Sequence, residues 1–363
     1  MPDLVILELA VNGATPRSRN RHVPRDPGEI AEVAVAGVEL GASIVHSHND
    51  EPMFTPDGLH AVEPYLASWR PVLERYPQLL MYPTMAAGAR GIPVERRWSH
   101  VEELARRGLG GMTLVDPGSV NLGLTSDGSV AQGAGAGPYA NPLSDIGYMF
   151  ARSAELGAAP SISIFEPGFL RATLTWQRCG RLPPGAMVKL YFGGELEFGL
   201  PPTAAGLDAY LELLEPSGLP WSVAVLGGDV VGCGLAERAI SRGGHVRVGL
   251  EDWAGSGEPS NLDLLRALVD LVERLGGSRR RSATPAGSSA SVSRFRDSGV
   301  ADRRRPAGMQ TEPVRPGAAG SLTGASRRGG KHRYRYAGAA VTSPGKDLGS
   351  QFPVHRRSGG RDA

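Results

Sequence analysis

The stretch Gly41-Ala-Ser-Ile-Val-His46-Ser-His48-Asn-Asp50 is a short, mostly apolar run that ends on two histidines. In an extended strand, residues two apart project to the same face, so His46 and His48 share one face while Val45 and Ser47 share the other. A continuous apolar run of this kind is typical of a buried parallel strand. The two imidazoles therefore mark one end of a buried strand as a candidate ligand-binding position.

A second strand-like stretch far downstream, Gly244-His-Val-Arg247-Val-Gly-Leu-Glu251-Asp252, also ends on polar residues. The spacing puts Arg247 and Glu251 on a common face of a second strand. Two imidazoles and one carboxylate suit zinc, and iron or manganese less well, and they leave a coordination position open for a substrate. The sequence therefore predicts that His46, His48 and Glu251 bind Zn2+ at one end of a shared sheet.

Eight apolar runs alternate with helical patterns along residues 1–276, which is the pattern of a (β/α)8 TIM barrel. The runs are continuous rather than alternating, as expected of parallel strands that are covered on both faces. A doubly wound open sheet is the alternative fold, but no Gly-x-Gly-x-x-Gly motif follows the first run. The runs span residues 4–10, 43–48, 79–84, 111–116, 161–166, 187–192, 221–226 and 245–251, and the helical patterns span 26–40, 62–76, 96–107, 142–156, 168–179, 203–214, 232–242 and 261–275.

Polar residues follow nearly every apolar run, at the point where each strand is expected to feed its helix. In barrels the active site lies at this carboxyl end of the strands. Asn12 and Thr84 suit either ligand binding or capping of the turn that follows them. The pattern predicts one rim that carries the site, with the polar residues Asn12, His46, His48, Thr84, Asp116, Glu166, Glu251 and Asp252.

The length of 363 residues fits one barrel of about 250 residues followed by a tail. The chain contains only Cys179 and Cys233, no apolar run approaches the length of a membrane span, and no basic-then-apolar segment opens the sequence. We therefore expect a reduced, cytoplasmic protein without a membrane partner. The barrel is expected over residues 1–276 and the tail over residues 277–363.

The tail differs in composition from the rest of the chain. Residues 278–363 contain 18 Lys and Arg against 5 acidic residues, which leaves 21 against 32 upstream. The segment is rich in Arg, Gly, Ser, Ala and Pro and buries too little apolar surface to offset its ordering entropy, so we expect disorder. The Arg-Tyr-Arg-Tyr stretch at 333–336 is compatible with stacking on bases. A compositional origin, including an altered reading frame, is the simpler interpretation, and no nucleic-acid partner is expected.

The part upstream of the tail resembles a known family in several short stretches. These are Val11-Asn12-Gly13, the His46-x-His48 strand end, Gly118-Ser-Val-Asn121-Leu-Gly123, Trp221 with the glycines after it, Gly243-Gly-His-Val-Arg247-Val-Gly-Leu-Glu251-Asp252, and Ser260-Asn261. The stretch that ends on the Glu-Asp pair is the most specific of them. In these respects residues 1 to about 276 are similar to the beta-keto acid cleavage enzymes, the family that includes 3-keto-5-aminohexanoate cleavage enzyme.

The resemblance implies a TIM barrel on which two histidines and the Glu of the Glu-Asp pair hold zinc, here His46, His48 and Glu251. It also implies that Arg247 and Asp252 assist proton abstraction, because they match the family's Arg and Asp. The implied reaction is a Claisen-type exchange, in which a beta-keto acid and acetyl-CoA give acetoacetate and a new acyl-CoA. Family members usually form tetramers, so a homo-oligomer is expected.

The rim also offers groups that suit the two substrates. Thr84 matches the family's Ser or Thr that binds the substrate carboxylate. The turn at Gly227 and Gly228 follows the seventh strand, where barrels often bind phosphate, and is our candidate for part of the CoA contact. CoA is released changed, so Zn2+ is the only bound cofactor expected. The candidate substrate-binding residues are Asn12, Thr84, Asp116 and Glu166.

One departure from the family pattern concerns the substrate. Members with an amino substrate carry a Glu in the fifth strand, where this chain has Ser163, so a cationic amine lacks its partner unless Glu166 supplies one. An amino substrate is therefore not expected.

Two other functions stay open. One is a metal-dependent barrel hydrolase, although no His between His100 and His245 completes such a site. The other is a non-catalytic metal-binding barrel with a damaged carboxyl-terminal end.

Overall fold

The apolar runs form parallel strands, and a helix or a helix pair follows each strand of the barrel. The computed structural model describes residues 4–49, 53–85, 91–122 and 138–279. The strands are β1 (Leu4–Val5), β2 (Leu7–Ala10), β3 (Ile44–His46), β4 (Leu80–Tyr82), β5 (Met112–Val115), β6 (Ala159–Ile164), β7 (Met187–Gly193), β8 (Trp221–Leu226), β9 (His245–Val248) and β10 (Ser278–Arg279). The α-helices are α1 (Pro27–Leu40), α2 (Glu63–Arg75), α3 (Val94–Arg97), α4 (Ser99–Arg106), α5 (Leu143–Glu155), α6 (Pro167–Arg178), α7 (Ala204–Leu214), α8 (Leu235–Ser241) and α9 (Asn261–Arg274).

Strands β2 to β9 form one sheet in the order β4-β3-β2-β9-β8-β7-β6-β5, and each neighbouring pair is parallel. Its two outer strands, β4 and β5, meet through a parallel bridge between Met81 and Gly111. There the Met81 N–H donates to the Gly110 carbonyl at 2.6 Å. The sheet therefore closes on itself, which confirms the predicted (β/α)8 TIM barrel. Because all eight strands are parallel, their carboxyl ends meet at one rim.

Capping boxes fix the beginnings of the two helices that flank β2 and β9. The Asp26 side chain accepts from the Glu29 N–H at the start of α1, and the Ser260 side chain accepts from the Asp263 N–H at the start of α9. A cap of this kind contributes on the order of 1 kcal/mol. The first residue of α9, Asn261, therefore has a defined position next to the end of β9.

Two predicted elements are interrupted in the structure. The run at 4–10 breaks at Ile6, whose N–H donates to Nδ1 of His245 at 3.2 Å, and β1 pairs with β10 instead of joining the barrel. The helical pattern at 96–107 becomes α3 and α4, which meet at Trp98. The indole N–H of Trp98 donates to the Leu114 carbonyl at 3.0 Å, so burial of this side chain bends the chain there.

Regular structure continues through β10, three residues into the predicted tail. The rest of that tail, from residue 280 and including the stretch at 333–336, lies outside the described residues, as do Asp50 and Gly123 of the quoted motifs. Among the residues that are described, no helix is both long enough and apolar enough to cross a membrane.

Candidate metal centre

Three side chains from two strand ends converge at the carboxyl rim of the barrel. His46 ends β3, His48 follows two residues later, and Glu251 follows β9; strand β2 lies between β3 and β9 and pairs with both. His46 Nε2 is 3.1 Å from Glu251 Oε2, and His48 Nε2 is 3.4 Å from Glu251 Oε1. One potential ligand atom from each residue lies within 4.8 Å of the others. The structure thus brings together the three residues that the sequence predicts as ligands.

The hydrogen bonds of His46 show which of its ring nitrogens has a free lone pair. Its Nδ1 is 3.1 Å from the Tyr82 carbonyl oxygen, which only accepts, so Nδ1 carries the proton. Burial lowers the pKa of His46 to about 4, so the ring is neutral at pH 7 and Nε2 is an acceptor. Burial would raise the pKa of Glu251, but the Arg247 guanidinium beside it holds that pKa well below its usual range. Lone pairs on His46 Nε2 and Glu251 Oε2 therefore face each other, and this arrangement is repulsive unless a cation lies between them.

The remaining ligand atoms also fit a divalent cation. His48 Nε2 and Glu251 Oε2 are buried, and neither has a hydrogen-bond partner among the described residues. Buried polar atoms without partners are uncommon in folded proteins, and coordination to a metal would satisfy both. Two imidazole nitrogens and a carboxylate are a donor set that zinc accepts, with a further position left for water or substrate. The residues present therefore fit a divalent metal.

Two glycines give Glu251 the room to reach the imidazoles. Gly13 has φ +57°, and a Cβ on it would lie 2.3 Å from Glu251 Cγ. Gly249 has φ +147°, and a Cβ on it would lie 1.9 Å from the Ala10 carbonyl oxygen. Residues other than glycine rarely adopt positive φ. The close approach of the end of β9 to the end of β2 therefore depends on both positions.

Two buried asparagines tie the strand ends together. Asn12 accepts from the His48 N–H at 2.9 Å and donates to the His48 carbonyl at 3.1 Å. Asn261 accepts from the Leu250 N–H at 3.0 Å and donates to the Val11 carbonyl at 2.7 Å. Asn12, a candidate substrate-binding residue, thus holds the backbone of His48, a candidate metal ligand. Asn261 holds the chain just before the ligand carboxylate, and only its place in the Ser-Asn stretch points to it in the sequence.

Arg247 connects the ligand carboxylate to a second carboxylate, that of Asp252. Its Nε and Nη2 donate to the two oxygens of Asp252 at 2.8 and 2.9 Å, and Nη2 also lies 3.0 Å from Glu251 Oε1. Burial raises the pKa of Asp252 above its ordinary value in spite of the guanidinium beside it. A raised pKa makes a carboxylate a stronger base. The structure thus places a candidate base one residue from a candidate metal ligand.

The two glycines predicted for CoA contact bind the Asp252 backbone through their N–H groups. The Asp252 carbonyl accepts from the N–H of Gly227 at 2.9 Å and from the N–H of Gly228 at 3.0 Å. These amides are therefore occupied by the protein itself. A cavity of about 260 Å3 opens at the same place, and its lining includes Gly228, Arg247, Asp252 and Trp253 together with the apolar residues Val225, Val230, Val248 and Leu264.

Thr84 and Asp116 both lie at the carboxyl rim of the barrel, and each contacts a neighbouring side chain. The Thr84 carbonyl lies 2.6 Å from Nε2 of His100, which fixes the backbone at the end of β4. Asp116 accepts from the Tyr139 hydroxyl at 2.5 Å through Oδ2, while its Oδ1 is buried with no partner among the described residues. Burial raises the pKa of Asp116. Asp116 therefore presents an oxygen that needs a hydrogen-bond donor.

Glu166 does not join this cluster. Its Oε1 accepts from the Gly199 N–H at 3.1 Å, in the loop that follows β7. Within the described ranges, no hydrogen bond or ion pair connects it to the metal-ligand residues. The carboxylate near Ser163, which is 8% exposed, is that of Asp116, and Ser163 partly offsets the rise that burial causes in the pKa of Asp116. The structure thus gives no support to Glu166 as the partner of a substrate amine.

Three polar residues inside the barrel contact Arg247 or its neighbours, and the sequence pattern does not predict them. These are Glu8 on β2, Tyr82 at the end of β4 and Lys189 on β7. Glu8 stands directly opposite Arg247 in the pairing of β2 with β9. A charged residue in the middle of a buried parallel strand is the signal that would have found Glu8 and Lys189.

The chain is similar to known proteins over most of its length. Residues 4–288 match the family model of the beta-keto acid cleavage enzymes. The 3-keto-5-aminohexanoate cleavage enzyme of Fusobacterium nucleatum subsp. nucleatum is 28% identical over 291 residues, which cover 78% of this chain and 96% of that protein. The 3-dehydrocarnitine:acetyl-CoA trimethylamine transferase of Rhizobium meliloti is 27% identical over 302 residues, which cover 75% of this chain and 91% of that protein.

The fold also has a counterpart among solved structures. The binary complex of ObcA with oxaloacetate superposes with a TM-score of 0.54 at 17% identity, and the match covers 72% of this chain and 66% of the ObcA chain. At that identity the likeness concerns the barrel alone. The family match over most of the chain confirms the resemblance seen in the sequence, and the chain belongs to the beta-keto acid cleavage enzyme family.

Proposed function

We propose that this chain is a zinc-dependent acyltransferase that converts a beta-keto acid and acetyl-CoA into acetoacetate and a new acyl-CoA. The observation that carries the proposal is the direct connection between the donor set and a base. Arg247 Nη2 is 3.0 Å from the ligand Glu251 and 2.9 Å from Asp252. The Rhizobium meliloti relative is named for a transfer that uses acetyl-CoA, which supports the choice of thioester.

His46, His48 and Glu251 would hold the zinc ion. When bound, zinc supplies a Lewis acid for the keto oxygen of the substrate. Asp252 takes a proton from the carbon between the keto and carboxylate groups, because its buried carboxylate has a raised pKa. Arg247 binds both oxygens of Asp252 and so orients the base.

The exchange then needs no further acid or base. The carbanion forms a bond to the thioester carbon, and the carbon–sulfur bond breaks with release of the CoA thiolate. The thiolate adds to the original keto carbon, and the carbon–carbon bond beside it breaks. Asp252 returns its proton to the departing carbanion, which becomes acetoacetate. The original acyl group leaves as the new CoA thioester.

The rim supplies contacts for both substrates. The Thr84 hydroxyl would bind the carboxylate of the keto acid, and the open Oδ1 of Asp116 would accept from a donor on the acyl chain. Because Ser163 stands on β6 where family members with an amino substrate carry a Glu, we propose a substrate without a cationic amine. The cavity beside Asp252, rather than the amides of Gly227 and Gly228, would receive the thioester. By family resemblance, we propose a homotetramer.

The test is a screen of the purified protein, reconstituted with zinc, against a panel of beta-keto acids with acetyl-CoA. Mass spectrometry should detect acetoacetate and a new acyl-CoA in equal amounts for at least one acid, and both should disappear when acetyl-CoA or zinc is left out. Consumption of a keto acid without CoA would contradict the proposal and favour a hydrolase. Bound zinc without turnover of any acid would contradict it and favour a non-catalytic barrel.

A further inference from the structure

Glu8, Tyr82 and Lys189, here called the interior cluster, lie inside the barrel next to Arg247. Their exposed fractions are 1%, 3% and 0%. Lys189 Nζ is 2.7 Å from Glu8 Oε1, and the Tyr82 hydroxyl donates to the same oxygen and contacts Lys189 Nζ. Lys189 also donates to the Ser161 hydroxyl at 3.0 Å. The three side chains therefore form one hydrogen-bonded unit that involves three different strands.

Stability alone is a weak reason to bury such a unit. Removing two charges from water costs several kcal/mol per ion, and apolar residues of similar volume are often as stable as a buried ion pair. Burial lowers the pKa of Lys189 despite the neighbouring carboxylate. Burial would raise the pKa of Glu8, but Lys189 and Arg247 hold that pKa below its ordinary value. The interior cluster thus keeps Glu8 charged inside the barrel.

The cluster contacts the candidate catalytic pair through one nitrogen. Arg247 Nη1 donates to Glu8 at 3.2 Å and to the Tyr82 hydroxyl at 3.1 Å. The other edge of the guanidinium binds Asp252 through Nε and Nη2. The planar guanidinium is therefore held at both edges, so that its orientation, and with it that of Asp252, depends on the interior cluster.

We propose that the interior cluster positions Arg247, and through it Asp252, for proton transfer, and that Lys189 acts by holding the Glu8 carboxylate in place. The three side chains are positioning residues and do not touch the substrate in this role. The inference rests on the proposed function, because it takes Asp252 as the base. It adds Glu8, Tyr82 and Lys189 to the residues on which the reaction depends.

The main test is the double variant Glu8→Gln/Lys189→Met, which removes two opposite charges together and nearly keeps the side-chain volumes. We expect the variant to fold, to bind zinc in the parent's ratio and to keep the parent's KM for the keto acid, while kcat falls about 10–100-fold because the base is misplaced. A cluster that only balances charge in the interior predicts the parent's kcat in this variant. That result would overturn the proposal.

A milder variant covers the case in which the double variant does not fold. Tyr82→Phe removes one hydroxyl and keeps the ring that stacks on His46 with centroids 4.5 Å apart. We expect kcat to fall about 2–10-fold, as for the loss of the hydrogen bond that the hydroxyl accepts from Arg247, with zinc content unchanged. The matched control is Tyr210→Phe on α7, since the Tyr210 hydroxyl is buried without a partner in the described part of the chain. Equal kcat in the two variants would overturn the proposal.

A measurement without turnover separates the inference from the proposed function. Crystal structures of the parent and of the double variant, both without metal, would be compared. The Arg247 guanidinium of the variant should be displaced by about 1 Å from its position in the parent, a shift large enough to affect catalysis. An unchanged guanidinium would refute positioning by the interior cluster. If the parent turns over no keto acid, the proposed function fails, whereas this structural comparison still decides whether the cluster positions Arg247.

Discussion

Gly13→Ala adds a single methyl group and should displace Glu251, one of the three candidate metal ligands. An alanine Cβ would lie 2.3 Å from Cγ, 2.8 Å from Cβ and 3.1 Å from Cα of Glu251, whereas ordinary contacts begin at 3.4 Å. The nearest Glu251 atoms must therefore retreat by about 1 Å, since the overlap is on the steep repulsive side of the contact potential. The retreat moves the carboxylate away from His46 and His48.

The size of the effect follows from two separate contributions. Metal–ligand distances vary by only about 0.2 Å, so a 1 Å retreat strains or breaks one of three ligand bonds. Loss of support for a ligand typically costs about 10–100-fold in metal affinity, which is about 1.4–2.7 kcal/mol. The φ of +57° at Gly13 adds a backbone cost of about 1–2 kcal/mol to the stability of the fold.

Zinc titration in competition with a chromophoric chelator measures the first contribution, and thermal unfolding of the metal-free protein measures the second. Gly218→Ala is the matched control, because Gly218 has φ +66° and a Cβ on it would meet no atom within 4 Å. We expect both variants to lose stability and only Gly13→Ala to lose zinc affinity. Parent-like zinc binding in folded Gly13→Ala protein would refute the argument from close approach, and equal losses in both variants would assign the effect to the fold as a whole.

Three further predictions concern the site and its surroundings. His48→Ala should lose zinc and activity together while its circular dichroism spectrum stays that of the parent, and equal zinc content in both proteins would contradict the ligand assignment. Asp252→Asn should keep zinc and lose about 10²–10⁴-fold in kcat, and an unchanged rate would exclude it as the base. Burial lowers the pKa of His100 from 6.5 to about 4, so the unfolded chain takes up a proton between these pH values before the folded chain does. His100 thus contributes stability above pH 6.5, and about 3 kcal/mol of it is lost as the pH falls to 4. His100→Gln should flatten the fall in unfolding free energy measured with urea, and parallel curves for variant and parent would contradict this origin.

The barrel and the ligand set follow from short-range patterns in the sequence. Continuous apolar runs predict the eight parallel strands, and the two-residue period places His46 with His48 and Arg247 with Glu251. The topology of a closed barrel then brings the two strand ends to one rim. Local pattern and global closure agree for these residues, which explains why they are predictable without coordinates.

Other parts of the site depend on contacts that no local pattern describes. Whether Asn12 faces a substrate or the backbone of His48 is decided by the stagger of β2 against β3. The amides of Gly227 and Gly228 bind the Asp252 carbonyl because the loops after β8 and β9 pack together, which their sequence spacing does not reveal. Glu166 accepts a hydrogen bond from the Gly199 N–H, 33 residues along the chain, which its sequence position does not reveal. Side-chain direction at strand ends is therefore the quantity that the sequence leaves undetermined.

The side-chain amides of Asn12 and Asn261 form their hydrogen bonds with backbone N–H and carbonyl groups. These bonds use none of the atoms that would coordinate an ion. We therefore expect folding by itself to assemble the cage of His46, His48 and Glu251, in contrast to zinc fingers, whose chains fold only around their metal. An ion can then enter or leave a finished apoprotein, and its exchange requires no unfolding. Which metal occupies the cage in the cell should follow ligand preference and cellular supply rather than the order in which the chain folds.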